Sequence, residues 1–241
     1  MAEAVGAVPV AESKGPGLFS RLAGVLFSPK ATYAAVVARP RALGALLVTI
    51  VIMSAAQGLF FATPVGQEVL IDQQVRAMEA FGVNITDEMY AQLESRVAYA
   101  PYTTAGSLLV FFPLFYAIIA GIVLAIFGML MGGTGTFKQV FAILAHAGVI
   151  TALQTLFAMP LSYATQRLAG ATLDVFVPGV EETSFLARFL GGIDLFWMWW
   201  CVSIAIGVGV LFKRRTGGIA MTFLSIYVVV VLAYALIRAG S

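Results

Sequence analysis

Charged residues are scarce in this chain of 241 residues. Only 11% are Asp, Glu, Lys or Arg, whereas soluble domains usually carry about 25%. The hydrophobic share is 61%. This balance excludes an ordinary soluble globular domain, and nothing in the pattern of basic residues supports nucleic-acid binding.

Histidine and cysteine are nearly absent as well. His146 is the only histidine and Cys201 the only cysteine. One cysteine cannot form an intramolecular disulfide. One histidine excludes a histidine-based metal cluster, and it has no convincing partners for a Ser-His-Asp triad. Because no nucleophile–base pair stands out either, the sequence predicts neither an enzyme nor a bound cofactor.

Long apolar runs dominate what remains. Five of them cover residues 42–61, 105–131, 140–159, 193–212 and 219–237, and none contains Lys or Arg. A helix of ~20 mostly apolar residues crosses a hydrocarbon core of ~30 Å. The sequence therefore predicts an all-α membrane protein, a bundle of five transmembrane helices within a single membrane domain at 18–237.

The charges that are present differ between the two sides of the predicted bundle. Arg39 and Arg41 precede the first run and a Lys-Arg-Arg sequence at 213–215 follows the fourth, while the connection between the first two runs is acidic. Basic residues near span ends stay on the cytoplasmic side. We therefore expect a cytoplasmic N-terminus and an extracytoplasmic C-terminus.

The segment before the first span predicts two interfacial helices after a disordered cytoplasmic tail at 1–17. Leu18, Phe19 and Leu22 fall on one helical face. A second short helix begins at Ser28-Pro29 and ends before Pro40. Such helices anchor a protein to the lipid surface, and the alternative is that the face of Leu18, Phe19 and Leu22 docks a partner.

The connection at 63–99 predicts a helical hairpin outside the membrane. Thr63 and Thr86 are suited to cap its two helices, with a break after Phe81. Met89, Leu93 and Val97 form the apolar stripe of the second helix. This stripe either packs on the bundle or provides a lid or partner surface.

Four polar residues within or at the edges of the spans are candidates for a functional role. Gln139, His146 and Gln154 lie on one face of the third span, and Asp194 begins the fourth in a helix-capping position. Gln139 also forms a predicted capping box with Thr136. Intramembrane polar groups usually face the bundle and hydrogen-bond a neighbour. The alternative is a polar path for a proton or a small solute.

Three segments resemble bacterial members of the YIP family. They are Phe-Ser-Pro-Lys-Ala-Thr-Tyr at 27–33, Gly-Thr-Phe-Lys-Gln-Val-Phe-Ala at 135–142 leading to His146, and Asp-Leu-Phe-Trp at 194–197. The resemblance covers 18–237 and implies five spans, no catalytic residues and a bacterial inner membrane. Some bacterial relatives look like accessory partners of ABC-type exporters. The Asp-Leu-Tyr-Gly-Pro motif of the eukaryotic members, which are linked to Rab-type GTPases, is absent, so no GTPase role carries over.

Two hypotheses follow. The first is a non-enzymatic integral membrane protein that acts as an interaction or accessory subunit of an export system or of membrane organisation. Its partners would be the lipid bilayer and other membrane proteins, such as an ABC-type exporter, or a second copy of itself. The second is a small-solute or proton transporter that uses His146, Gln154 and Asp194.

Overall fold

The computed structural model describes residues 16–177, 179–181 and 184–239. Across these residues the chain forms ten α-helices and no β-strand. The tail predicted to be disordered lies outside the described residues, except for its last two positions. The helices are α1 Leu18–Phe27, α2 Pro29–Ala38, α3 Leu43–Phe61, α4 Pro64–Glu79, α5 Asp87–Val97, α6 Ala100–Leu124, α7 Phe137–Thr165, α8 Phe185–Gly191, α9 Leu195–Phe212 and α10 Thr216–Ala239.

Five of these helices are long and apolar enough to cross a membrane, which confirms the predicted spans. They are α3, α6, α7, α9 and α10, and α6 continues through a π-helical segment at Ala125–Leu130. A single 3-10 turn at Leu173–Phe176 interrupts the connection between α7 and α8. The all-α membrane bundle expected from the sequence is therefore the observed fold.

Helix α7 lies at the centre of the bundle. It contacts α3, α6 and α9, and the two N-terminal helices also pack against it. Helix α10 packs mainly on α9 and α8 at the periphery. The main apolar core accordingly forms around α7, with contributions from α3, α6 and α9.

Small residues allow α7 and α9 to approach closely. A Cβ atom at Gly207 in α9 would lie 2.4 Å from Cγ2 of Ile143 in α7 and 3.2 Å from Cδ1 of Tyr33. Ser203 and Ala205, which continue this small-residue pattern along α9, are buried. Close approach through small residues is the usual basis of helix packing in lipid.

One face of helix α2 is buried against the bundle. Tyr33 and Val36 are fully buried, and α2 packs against both α7 and α9. The Tyr33 hydroxyl and the Ser203 hydroxyl are 2.6 Å apart and form a hydrogen bond. Tyr33 can be buried there because the small residues Ser203 and Gly207 leave room beside α9 for its ring.

The two ends of the bundle differ in structure. At one end, here called the basic end, α1 and α2 meet the connections at 39–42, 131–136 and 213–215. The guanidinium of Arg214 donates to the Met131 carbonyl oxygen at 3.3 Å there. At the opposite end, here called the hairpin end, lie α4, α5, α8 and the described parts of the connection at 166–194.

Helices α4 and α5 form a hairpin with its own small apolar core. The Thr63 hydroxyl accepts a hydrogen bond from the Gly66 amide, and the Thr86 hydroxyl accepts one from the Met89 amide. These two hydrogen bonds cap the N-termini of α4 and α5. The apolar cluster beneath them consists of Phe60, Phe61, Val69, Ile71, Val97 and Ala100.

Candidate functional site

Asp194 is the most highly connected of the polar residues singled out in the sequence. It is 7% exposed and lies immediately before α9. Its Oδ1 atom accepts hydrogen bonds from the amides of Phe196 at 2.7 Å and Trp197 at 3.2 Å. The side chain therefore caps α9, where an anion is favoured by the unpaired amides and the helix dipole.

The second carboxylate oxygen of Asp194 reaches another span. Gln154 in α7 donates from Nε2 to Oδ2 of Asp194 at 2.9 Å. The sequence identified both residues but gave no reason to pair them. Because one oxygen of the carboxylate caps α9 and the other accepts a hydrogen bond from Gln154, the Asp194 side chain joins α9 to α7.

The backbone around Asp194 forms hydrogen bonds with α10 and with the loop after α7. The Asp194 amide donates to the Tyr227 hydroxyl at 2.9 Å, and this hydroxyl donates to the Gly192 carbonyl oxygen at 2.8 Å. The Leu195 amide donates to the Ala171 carbonyl oxygen at 2.9 Å. Helix α10 and the loop after α7 are thereby joined to the start of α9. The sequence did not identify Tyr227, since an isolated tyrosine in an apolar run carries no distinctive signal.

His146 is fully buried and does not meet the other polar residues of its predicted face. Its Nδ1 atom is 2.8 Å from the Ala142 carbonyl oxygen. A carbonyl can only accept, so Nδ1 carries the hydrogen and Nε2 is left as an acceptor. Within the described chain Nε2 has no hydrogen-bond partner.

Gln139 acts at the basic end of α7. It forms the predicted capping box with Thr136, which is confirmed, and its Nε2 donates to the Val37 carbonyl oxygen of α2 at 3.1 Å. At a rise of ~1.5 Å per residue, Gln139 and Gln154 lie roughly 10 Å along the helix on either side of His146. The three residues share a face of α7 but do not form a chain of contacts.

A second polar group in the centre of the bundle was not identified from the sequence. Thr49 from α3 and Tyr116 from α6 converge on Gly148 of α7, where a Cβ atom would lie 2.9 Å from the tyrosine hydroxyl and 3.1 Å from the threonine hydroxyl. The Trp200 indole of α9 stacks on Tyr116. The two hydroxyls and the indole nitrogen are buried without a hydrogen-bond partner in the described part of the chain. Sequence spacing could not reveal this group because each member comes from a different helix.

The predicted interaction faces are partly used inside the protein. On α1, Leu22 is buried and Leu18 packs on Gly44, while Phe19 is 76% exposed. On α5, Val97 is buried and Met89 and Leu93 are half-buried. A partner that approaches either face would meet Phe19 and the half-buried residues rather than Leu22 or Val97.

No metal-binding cluster is present within residues 16–177, 179–181 and 184–239. No group of three or more His, Cys, Asp or Glu side chains lies close enough there to hold an ion. The polar residues that do meet, Asp194, Gln154 and Tyr227, form hydrogen bonds that join helices.

Comparison with known proteins gives one match. The family model described as "Yip1 domain" matches residues 23–237, nearly the whole chain. No curated protein and no solved structure matches.

Proposed function

This chain belongs to the Yip1 domain family, and we propose that it acts there as a non-catalytic accessory subunit that binds another integral membrane protein. The partner class is a multi-pass protein of the same bilayer, such as an ABC-type exporter. The bilayer is a bacterial inner membrane, and the basic end is cytoplasmic because basic residues near span ends are retained on that side.

The observation that carries this proposal is a lateral cleft at the hairpin end. The cleft has a volume of about 780 Å³ and lies between the hairpin tip at 79–82, Arg188 and Gly191–Gly192 near α8, and Tyr234 of α10. Phe81 at the tip is 87% exposed, and Gly82 follows it with φ of 77°. An exposed aromatic that borders a cleft is a typical anchor for a partner.

The position of the cleft suggests how a partner would approach. Val229, Val230 and Leu236 lie on the outward face of α10 and are exposed. A partner helix that lay along this face would place its end under the hairpin tip. The hairpin itself is held on the bundle by the apolar cluster around Phe60 and Val97, so it offers a fixed surface.

Site-specific crosslinking tests the proposal. A photoreactive phenylalanine analogue is introduced at Phe81, and the matched control is the same analogue at Tyr102, which is exposed on α6 at the same end. We expect Phe81 to capture one stoichiometric membrane protein in native membranes, identified by mass spectrometry. Equal and diffuse labelling from both positions would contradict the proposal.

A point variant tests whether α1 contributes to partner binding more cleanly than a deletion of the N-terminal helices. Residues 18–38 include Tyr33 and Val36, which are fully buried, so a deletion would damage the core. Phe19→Ser alters only an exposed side chain and tests whether the outer face of α1 contributes to the same interaction.

The polar centre supports a second candidate function, the movement of protons or small solutes. Thr49, Tyr116, His146 and Trp200 each hold a buried polar atom with no partner in the described residues, and unpaired polar groups in a membrane interior often mark a functional path. Purified protein in proteoliposomes should then conduct protons, and His146→Ala should reduce the rate. A wild-type flux equal to that of empty liposomes would exclude this function.

A further inference from the structure

The charges at the basic end are all of one sign. Among the described residues, α1, α2 and the connections at 39–42, 131–136 and 213–215, together with the start of α7, contain Lys and Arg but no Asp or Glu. The described carboxylates all lie in residues 68–94 and 174–194, at the hairpin end. The arginines at the basic end therefore have no carboxylate of the described chain beside them.

Two of these arginines flank one helix junction. The Leu18 side chain packs on Gly44, where an added Cβ would lie 3.0 Å from its Cδ2 atom. This contact sets the first turn of α1 against the first turn of α3. Arg21 lies one turn further along α1, and Arg41 lies two residues before the start of α3.

Arg21 is half-buried, whereas Arg41 is exposed. Burial and the charge of Arg41 both lower the pKa of Arg21 from its ordinary value. The Nε atom of Arg21 is buried and has no hydrogen-bond partner among the residues described. Two neighbouring like charges, one of them partly desolvated, are unfavourable without a counter-charge.

The exposed apolar face of α1 suggests a source for that counter-charge. Phe19 and Phe27 point away from the bundle and are 76% and 85% exposed. Large apolar side chains on the outer face of an interfacial helix are covered by acyl chains. With acyl chains over that face, the junction of α1 and α3 would lie at the level of the lipid headgroups.

We propose that Arg21 and Arg41 bind the phosphate of one anionic phospholipid at the junction of α1 and α3. The planar guanidinium forms paired hydrogen bonds with phosphate oxygens, which an ammonium group cannot reproduce. The bound headgroup holds α1 against α3 and thereby fixes the α1–α2 hairpin, which carries Tyr33, on the bundle.

Lipid binding to the purified full-length protein tests this site. Native mass spectrometry counts bound phosphatidylglycerol and phosphatidylcholine, and thermal unfolding in mild detergent is measured with each lipid and with inorganic phosphate. We expect one tightly held phosphatidylglycerol and a higher unfolding temperature with that lipid only. Arg21→Gln/Arg41→Gln should lose roughly tenfold or more in affinity, because charge-assisted hydrogen bonds are removed.

Two matched controls separate this site from general surface charge. Lys213→Gln removes a charge at the same end, away from the junction, and should retain the tight lipid. Arg21→Lys/Arg41→Lys keeps the charge but loses the paired geometry, and should bind more weakly than the wild type. Where the double glutamine variant fails to fold, Arg41→Gln alone, at an exposed residue, gives the same readout.

Three results would overturn the proposal. One is equal phosphatidylglycerol binding by the wild type and the double glutamine variant. Another is an equal loss in Lys213→Gln, which would make the effect one of general charge. The third is protection by inorganic phosphate equal to that by phosphatidylglycerol, which would make the site an anion site without a lipid.

Discussion

Helices α7 and α10 are both long apolar spans, yet they occupy opposite positions in the bundle. About 67% of the most apolar window of α7 is buried within the protein, against 17% for α10. The mean hydropathy runs the other way, since α10 is the more hydrophobic of the two. The more apolar helix is the one that the protein leaves exposed.

The membrane explains this inversion. Acyl chains are as apolar as leucine, so a hydrophobic surface gains little by being buried against another helix. The interior of the bundle is occupied instead by helices that carry small and hydrogen-bonding side chains. In α7 these are Gly148, His146, Thr151, Thr155 and Ser162, and the four polar ones among them are buried. A change on the central helices should therefore cost far more stability than an equivalent change on α10.

The largest loss of stability is expected when the Asp194 side chain, which joins α7 and α9, is removed. Asp194→Ala removes the α9 cap and leaves the Gln154 amide without its acceptor. Hydrogen bonds to a charged group are each worth about 1.5–3 kcal/mol, so we expect a loss of roughly 4 kcal/mol in the free energy of unfolding. SDS-induced unfolding in mixed micelles measures it.

Glu94→Ala is the control for Asp194→Ala. Glu94 is an exposed carboxylate on α5, and its removal should leave the unfolding midpoint nearly unchanged. Equal losses in the two variants would show that Asp194 does not hold the helices together.

The close approach of α7 and α9 is the next most sensitive feature. Gly207→Ala forces a methyl group against Ile143, and overpacking of this kind costs about 1–3 kcal/mol. Gly121→Ala in α6 adds the same methyl group where no atom lies within 4 Å, so it should be neutral. The same unfolding assay compares them, and a neutral Gly207→Ala would mean that the two helices can separate without cost.

The hydrogen bond between α2 and α9 should contribute less. Tyr33→Phe removes the hydroxyl that meets Ser203, and a loss of about 1 kcal/mol is expected. Ser203→Ala should cost a similar amount, and the double variant should cost less than the sum because both changes break one bond. Additive losses would show that the two hydroxyls are not coupled.

The spans could be predicted from the sequence because their signal is local. The run at 42–61 matches Leu43–Phe61 closely, but the third helix continues six residues past the predicted end at 159. The predicted bounds described only the apolar run, which ends before Pro160. In the continued helix the Ser162 and Thr165 hydroxyls donate to the carbonyl oxygens of Ala158 and Leu161, so these polar side chains are satisfied within the helix.

The contacts of the site could not be predicted in the same way. Gln154 and Asp194 are 40 residues apart and Tyr33 and Ser203 are 170 apart. A helix that is apolar on all sides does not reveal which face meets a neighbour. The sequence therefore identified Gln139, Gln154 and Asp194, but not the pairing of Gln154 with Asp194 or the partners in α2 and α10.

The smallest effect is expected on the outer face of α10. Val230 is 61% exposed within the protein, so Val230→Ala should change the free energy of unfolding by less than about 0.5 kcal/mol. Val208→Ala makes the same change at a fully buried position of α9 and should cost clearly more. In the purified protein, a loss at Val230 as large as that at Val208 would show that this face is covered even without the proposed partner. It would instead place the outer face of α10 against a second protein surface, and a loss that depended on protein concentration would identify that surface as another copy of the chain.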